Sequence, residues 1–401
     1  MTRKLFYEDI HITNFEATVV SCQPVTAEIS TNATSGSKTP PVGDKIALYR
    51  ILLDATAFFP EEGGQSADLG TLDGQEVLDV QIENDLIYHT VKDAVKVGET
   101  VKCHVDWTQR FDFMQQHSGE HILSGIVHER FGYNNVGFHL STREVTLDFD
   151  GTLSNEQLKD LELAANRVIW LNLPIEITYP EKEELDVLSY RSKIEIDGQV
   201  RIVTIPGVDV CACCAPHTET TGQIGMIKIV SCQNYKGGVR LTILCGQRAL
   251  RDYCEKMDNV TFITQSMSVK PEQIVDVFEK LRSENQAIKE TANSLQAKCL
   301  VASVASLPAP TESANAVLFT DITDNIAIRN VVNELTLRYE GYCAIFFGSE
   351  ENYRFILGSS RKDCNEIAAM LRSEYGAKCG GNSQMIQGSV SVKAEAIKAF
   401  F

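Results

Sequence analysis

Asp106-Trp-Thr-Gln-Arg-Phe-Asp-Phe-Met-Gln-Gln-His-Ser-Gly-Glu-His-Ile-Leu-Ser-Gly-Ile-Val-His-Glu-Arg-Phe-Gly132 decides how the rest of the chain is read. It holds no proline, and Phe111, Met114, Ile122 and Ile126 recur at helical spacing. Asp106 with Gln109 three positions later predicts an N-terminal capping box, and Gly132 predicts the stop. On that helix His117 and His121 stand four apart, on one face and one turn from each other. Two imidazoles so placed can bind one tetrahedral metal ion.

The chain changes character on either side of this helix. Residues 15–22, 45–54, 76–88 and 99–105 are strand-like and rich in β-branched side chains. Residues 30–43 form a loop rich in Ser, Thr, Asn, Gly and Pro, and Pro60 to Gln65 with Asp68 to Gly70 is rich in turn residues. Many short strands with turn signals predict an N-terminal β-barrel-like domain over 1–105. After Gly132, strands at 144–149, 174–180, 199–205, 225–230 and 238–245 alternate with helices at 155–171 and 181–190. With the first helix they make an α+β metal-binding domain over 106–255. A helical connector over 256–306 follows, dominated by one helix at 270–300 with apolar positions 274, 277, 278, 281 and 288. Such a helix is a connector packed on another element or a dimerising hairpin arm, so a homodimer through it or through the last domain is among the expected partners. Pro308 and Pro310 mark the final boundary, and strand and helix alternate in a small α/β domain over 307–401 that ends in a glycine-containing loop at 376–388. The fold class expected for the whole is α+β.

At 401 residues the length calls for two or three domains. No run approaches the ~20 apolar residues of a membrane span. The acidic start, with no apolar run followed by small residues, is not a signal peptide. A cytoplasmic location follows, in which the twelve cysteines stay mostly reduced. A formal charge of −17 excludes general coating of nucleic acid, which works by Lys and Arg displacing counterions. An RNA partner therefore requires a local basic patch. Lys228, Lys236, Arg240, Arg248 and Arg251 are its candidates, against the plainer reading of ordinary surface charge.

The second metal-capable cluster is Cys211-Ala-Cys-Cys-Ala-Pro-His217, where thiolates sit beside an imidazole. Pro216 keeps this segment from being helical, so it is a turn that presents ligands. Two ligands from each of two distant segments is the usual construction of a zinc site. Spacing alone leaves the cysteine open: Cys211 and Cys214 form C-x-x-C, while Cys213 forms C-x-x-x-H with His217. A closed structural site and a catalytic one stay open too, because catalytic zinc keeps a position for water. His117-Ser-Gly-Glu-His121 also fits the H-x-x-E-H pattern of a metalloprotease. That class needs a downstream carboxylate ligand, and 181–184 offers only a charged face.

Four motifs, in order, resemble those of the free-standing alanyl-tRNA editing proteins, which are similar to the editing domain of alanyl-tRNA synthetase. They are Phe58-Phe-Pro-Glu-Glu-Gly-Gly-Gln-Ser-Ala-Asp-Leu-Gly70, Gln115 to Leu123, Asp209 to Gly225 with Cys213-x-x-x-His217 and then Thr221-Gly-Gln-Ile-Gly225, and Gly238-Val-Arg-Leu241. The resemblance covers residues 5 to about 250. It implies one zinc ion held by His117, His121, Cys213 and His217, and thereby Cys213 over its neighbours. It implies hydrolysis of mischarged tRNA(Ala) carrying serine or glycine. The connector and last domain resemble the DHH-associated domain of longer members, whose glycine-rich loop is thought to help hold RNA. Two departures stand near the ligands: Glu62 where the family has glycine, and Cys214-Ala-Pro where it has Gly-Gly-Thr.

For such a reaction Glu120 is the candidate proton relay, and Gln65 is a second candidate catalytic residue. Gln65, Ser118 and His139 are candidates for contacting the amino acid or ribose, and Lys236 and Arg240 for contacting RNA. The non-enzyme alternative is a zinc-stabilised tRNA-binding module without activity.

Overall fold

The structure, a computed structural model, describes residues 1–28, 45–192, 199–311, 314–349 and 351–401, so the loop expected at 30–43 lies outside it. It is a mixed α+β protein whose contacts divide it into Met1–Val260 and Thr261–Phe401.

In the first unit the long strand Asn14–Glu28 organises the N-terminal sheet. One edge pairs with Thr100–Val105 and the other with Lys45–Leu53, both antiparallel, with a bulge between Val19 and Ser21. The full order is Gln75–Val77, Gly70–Leu72, Thr100–Val105, Asn14–Glu28, Lys45–Leu53, Leu86–Val91, Asp79–Glu83. These seven strands curl into a nearly closed barrel around Phe58, Phe59, Leu72, Val80, Ile87 and Val101, all buried. The strand expected at 76–88 is three short ones, Gln75–Val77, Asp79–Glu83 and Leu86–Val91. Asn84 and Asp85 cause the last break: both have positive φ (51° and 62°), the two-residue hairpin turn that matches strand twist.

Helix α1 (Trp107–Phe131) begins at Asp106, whose carboxylate accepts from the Thr108 and Gln109 amides, and ends at Gly132 with φ 70°. The capping box is only half made. The Gln109 side chain accepts instead from the Leu69 amide at 2.8 Å, which ties the helix to the barrel. Helix α2 (Asn155–Trp170) has both halves, through Ser154 and Gln157. Both helices pack on an antiparallel sheet ordered Asn135–Leu140, Val145–Phe149, Gly238–Cys245, Ile227–Tyr235. Phe113, Ile122, Leu123, Ile126 and Val127 join Leu147, Leu241 and Ile243 in its core. Gly119 and Gly125 let α1 come close: a Cβ on the first would strike Cys245 Sγ, and on the second the Val208 carbonyl. The acidic helix expected at 181–190 is one exposed turn, α3 (Lys182–Leu185), and the strand expected at 174–180 is only Glu176–Thr178. The latter joins Ile202–Ile205 and Asp209–Ala212 in a small sheet that leads into the cysteine loop.

The unit boundary falls inside α4 (Gly246–Met267), so helix begins ten residues before the connector expected at 256. Pro271 starts a short 3-10 turn, after which α5 (Ile274–Ser303) runs to the last domain, whose core buries Leu300. In the last domain a five-stranded sheet is ordered Ala316–Thr320, Cys343–Ser349, Asn352–Gly358, Met385–Val390, Lys378–Gly381. Its first pair is parallel and the rest antiparallel. Helices α6 (Asn325–Arg338), α7 (Cys364–Tyr375) and α8 (Ala394–Phe400) complete the domain. The loop expected at 376–388 is a hairpin: its glycines pair through their backbones, Cys379 with Gly388 and Gly380 with Gln387. All twelve cysteines are free thiols, and among the described residues no helix is long and apolar enough to cross a membrane.

Candidate metal centre

Helix α1 is polar where a core helix should be apolar. Gln115, Gln116, His117, Ser118, Glu120, His121 and Ser124 are all buried. Burial of polar groups is tolerated only when each finds a partner. Gln116 exchanges hydrogen bonds with the backbone of Cys245, and Gln115 donates to the Gln223 carbonyl. These bonds lock the helix face that carries the histidines.

His117, His121, Cys213 and His217 converge so that one ligand atom from each lies within 4.8 Å of all the others. Cys213 Sγ is 3.5 Å from His117 Nε2 and 3.4 Å from His217 Nε2. The ring centroids of His121 and His217 are 4.6 Å apart, and those of His117 and His217 4.9 Å. Every imidazole is anchored at its other nitrogen. His117 Nδ1 meets Gln65 Oε1 at 2.9 Å, His121 Nδ1 meets Asp209 Oδ2 at 2.9 Å, and His217 Nδ1 meets Ser118 Oγ at 3.0 Å. With Nδ1–H donating to these oxygens, each Nε2 presents its lone pair to the centre. Asp209 is itself held by Arg191 through two bonds of 2.7 and 2.9 Å.

The electrostatics draw in a cation. Burial works against ionising Cys213, yet His117 and His217 hold its thiol well below the ordinary thiol range. Burial, only partly offset by Cys213, pushes His217 down to about 3, which keeps it neutral. Burial also works against a charge on His121, but Cys211, Asp209, Cys213 and Glu120 together hold its pKa well above the ordinary imidazole range. A buried centre with a thiolate, three imidazoles and nearby carboxylates favours one positive charge, and the donor set of three nitrogens and one sulfur fits a tetrahedral metal ion.

The other cysteines are placed differently. Cys211 belongs to a second buried group with His121 and Asp209, and burial pushes its thiol up to about 11. Cys214 is pushed up further, by burial and by Cys213, and its Sγ faces Gly63 in the loop where Glu62 departs from the family pattern. Arg201 clamps the loop between them, donating to the Cys213 and Ala215 carbonyls at 2.7 and 2.9 Å beneath the Tyr7 ring.

The remaining sequence-derived candidates separate. Glu120 Oε1 accepts from Ser124 and Asn135, and its Oε2 lies 3.7 Å from His121 Nε2 at the edge of the centre. Gln65 is fully buried, and its Nε2 has no hydrogen-bond partner among the described residues. The Ser118 hydroxyl is engaged by His217 and the Thr218 amide, so it orients a ring from behind. His139 is exposed and outside the four-residue cluster, whereas its neighbour Phe138 packs on the His117 ring at 4.7 Å. In the basic set, Lys228 pairs with Glu162, Arg240 with Asp148 and Arg248 with Asp112. Lys236 lies over the Tyr235 ring, and Arg251 is exposed. The protease pattern loses its downstream carboxylate: Glu183 and Glu184 are exposed on α3, and the centre is completed by Cys213 and His217. Arg191, Arg201, Asn135 and Ser124 carried no motif in the sequence, and Asp209 stood only as the first residue of a matched segment, because their roles arise from tertiary contacts. A buried-type pattern of Gln, Ser and Glu on α1 was the one available signal.

Two families match the chain: one described as tRNA synthetases class II (A), over residues 2–109, and one as the threonyl and alanyl tRNA synthetase second additional domain, over residues 200–242. The alanyl-tRNA editing protein of Danio rerio is 31% identical over 280 residues, which is 68% of this chain and 66% of that protein. That of Mus musculus is 29% identical over 291 residues, 71% and 69% of the two chains. The alanine–tRNA ligase of Pyrococcus furiosus is 28% identical over 408 residues, covering 97% of this chain but 42% of the ligase. The chain belongs to the alanyl-tRNA editing proteins, free-standing relatives of the editing region of alanyl-tRNA synthetase.

Proposed function

We propose that the chain is a deacylase acting on mischarged tRNA(Ala), with serine and then glycine as the amino acids removed, and that one zinc ion per chain sits at the centre. The observation that carries this reading is the convergence of three Nε2 atoms on Cys213 Sγ, each ring fixed at Nδ1 by its own acceptor. Three imidazoles and a thiolate are a zinc donor set. Bound zinc supplies Lewis acidity toward the aminoacyl ester or its attacking water.

The protein's own groups then divide the remaining work. The Gln65 Nε2–H pair, buried and without a partner among the described residues, is the donor available to the aminoacyl group beside His117. A site that spends this donor on the serine hydroxyl leaves it unpaired with alanine, and such a loss discriminates by orders of magnitude. Glu120 Oε2, 3.7 Å from His121 Nε2, accepts the proton of the attacking water. Asn135 and Ser124 hold its other oxygen. Asp209, Gln65 and Ser118 keep the rings in one tautomer. For the tRNA, Lys236 and Arg251 are the cations left to meet phosphate, with Arg240 contributing through its stack on Tyr235.

Four protein ligands also suit a closed structural zinc site, and this favours one rival: a tRNA-binding module without turnover. Seryl-tRNA(Ala) incubated with substoichiometric protein separates the two. Release of many equivalents of serine, absent in Cys213→Ala, is the expected result. Binding of the tRNA without multiple turnovers would overturn the deacylase reading.

A further inference from the structure

Arg110 is buried as deeply as the phenylalanines of the barrel core: it is 1% exposed, and its partner Asp68 is not exposed at all. Arg110 Nε donates to the two Asp68 oxygens at 3.0 and 2.9 Å. Its Nη2 donates to Asp68 Oδ2 and, at 2.6 Å, to the Ala57 carbonyl, while Nη1 reaches the Ile10 carbonyl at 3.4 Å. Taking two charges out of water costs about as much as their attraction returns, and well-packed apolar residues in their place are often no less stable. Stability is therefore a poor account of this pair. What the pair does that apolar side chains cannot is hold one geometry.

The element it holds is the loop of residues 59–68. Asp68 closes the base: its amide donates to the Phe59 carbonyl at 3.0 Å, and its Oδ2 accepts from the Phe59 amide at 2.6 Å. At the tip, Glu62 and Gln65 exchange backbone hydrogen bonds of 3.2 and 3.1 Å across Gly63 and Gly64. Both glycines have positive φ, 63° and 84°, as a two-residue turn of this hand requires. One flank is stitched to Leu140, whose amide donates to the Gly64 carbonyl and whose carbonyl accepts from the Ser66 amide. The turn delivers Gln65, whose Oε1 anchors His117 Nδ1 and whose Nε2 has no partner among the described residues.

Helix α1 thus grips this loop at two points. Arg110 holds the base, and His117 meets the tip seven residues, or about 10 Å, further along the same face. Leu69, just past the base, is tied to the start of the same helix by the Gln109 side chain and the Asp106 amide. The helix fixes the spacing of the two grips, so a fixed base fixes the tip against the metal ligands. We propose that Asp68 and Arg110 are positioning residues, a buried clasp that sets Gln65 against His117 and so aims its free amide at the aminoacyl group. The aim of that amide rests on the deacylase reading; the hold on His117 does not.

Chelator competition reads the clasp without turnover. Gln65→Ala removes the His117 anchor and should weaken zinc binding roughly 10- to 100-fold. The apolar pair Asp68→Leu/Arg110→Met should weaken it by a similar factor. Combined with Gln65→Ala the pair should cost nothing further, because both act through one contact. Arg110→Lys keeps the charge without repacking the core but cannot span both oxygens and the Ala57 carbonyl. It should show a smaller loss, again absent when Gln65 is already alanine. In the metal-free chain, hydrogen exchange at the Phe59, Gln65 and Ser66 amides should quicken about tenfold in the pair and in Arg110→Lys, with the middle of α1 unchanged. Unchanged zinc affinity in both variants, losses that multiply with Gln65→Ala, or unchanged exchange in the loop would overturn the proposal and leave the ion pair to the barrel alone. With seryl- and alanyl-tRNA(Ala), the serine-over-alanine ratio of kcat/KM should fall about tenfold in the pair. An unchanged ratio would break the link to the Gln65 amide. If no form of the chain turns over seryl-tRNA, the deacylase reading fails while the zinc and exchange measurements still decide the clasp.

Discussion

Helices α1 and α5 are of similar length and nearly opposite construction. On α1 sixteen of twenty-five residues are buried, among them histidines, glutamines, serines and a glutamate. On α5 Leu300 is the one fully buried residue, and large apolar side chains stand in solvent. Buried polar groups are costly unless they are paired, so a helix that keeps eight of them inside, Arg110 included, needs a partner for each. Exposed apolar groups are costly unless covered, so a regular stripe of them departs from the rule as clearly. Each helix violates the simple inside–outside pattern, in opposite directions.

The largest expected effects fall on α1 and the loop it faces. Cys213→Ala removes the thiolate and should weaken zinc binding by a hundredfold or more. Ile288→Asp on α5 should leave zinc affinity unchanged; comparing metal retention in a chelator titration measures both. If Ile288→Asp lost its zinc, the division of labour between the two helices would collapse.

A smaller loss is expected at the ring anchors. Asp209→Asn leaves the ligands in place but removes the carboxylate that orients His121, at a cost of roughly 10–100-fold in metal affinity. An affinity equal to that of the unaltered protein would mean that Asp209 serves only Arg191.

This second ring of contacts is what the sequence did not display. The positions of His117 and His121 on one helix, the cap at Asp106 and the stop at Gly132 were all legible, because they depend on residues within one or two turns. Neither spacing nor composition could choose Cys213 over Cys211 and Cys214, since all three stand in one tetrapeptide and their directions depend on how Arg201 pulls the loop. Asp209 and Arg191 are invisible for the same reason: the bonds that give them a role span 88 and 18 residues. The hairpin at 378–390 looked like a loop because glycines carry no strand propensity, and only pairing with Asn352–Gly358 makes it sheet. On α5 the apolar positions were legible but not their exposure.

pH adds a third, smaller contrast, confined to the first unit. His89 is fully buried in the barrel between Thr56 Oγ1 and the Ile51 carbonyl, and burial lowers its pKa from 6.5 to about 4. The unfolded chain therefore binds a proton between these values that the folded chain refuses. That stability is present above pH 6.5 and is lost as pH falls toward 4. Denaturant midpoints of the first unit should fall over this window, and His89→Gln should flatten the slope. A slope unchanged in His89→Gln would assign it to other groups. The smallest effects belong to Cys211→Ala and Cys214→Ala, which should retain zinc and lose roughly 1 kcal/mol of stability through packing. Zinc loss in either would return the C-x-x-C pairing to contention.

The coordination shell itself is the most direct measurement. X-ray absorption at the zinc edge of the purified, metal-loaded chain should find one sulfur at about 2.3 Å and three nitrogens at about 2.0–2.1 Å, with one zinc per chain. Two sulfurs in that shell, or none, would contradict a centre built from His117, His121, Cys213 and His217.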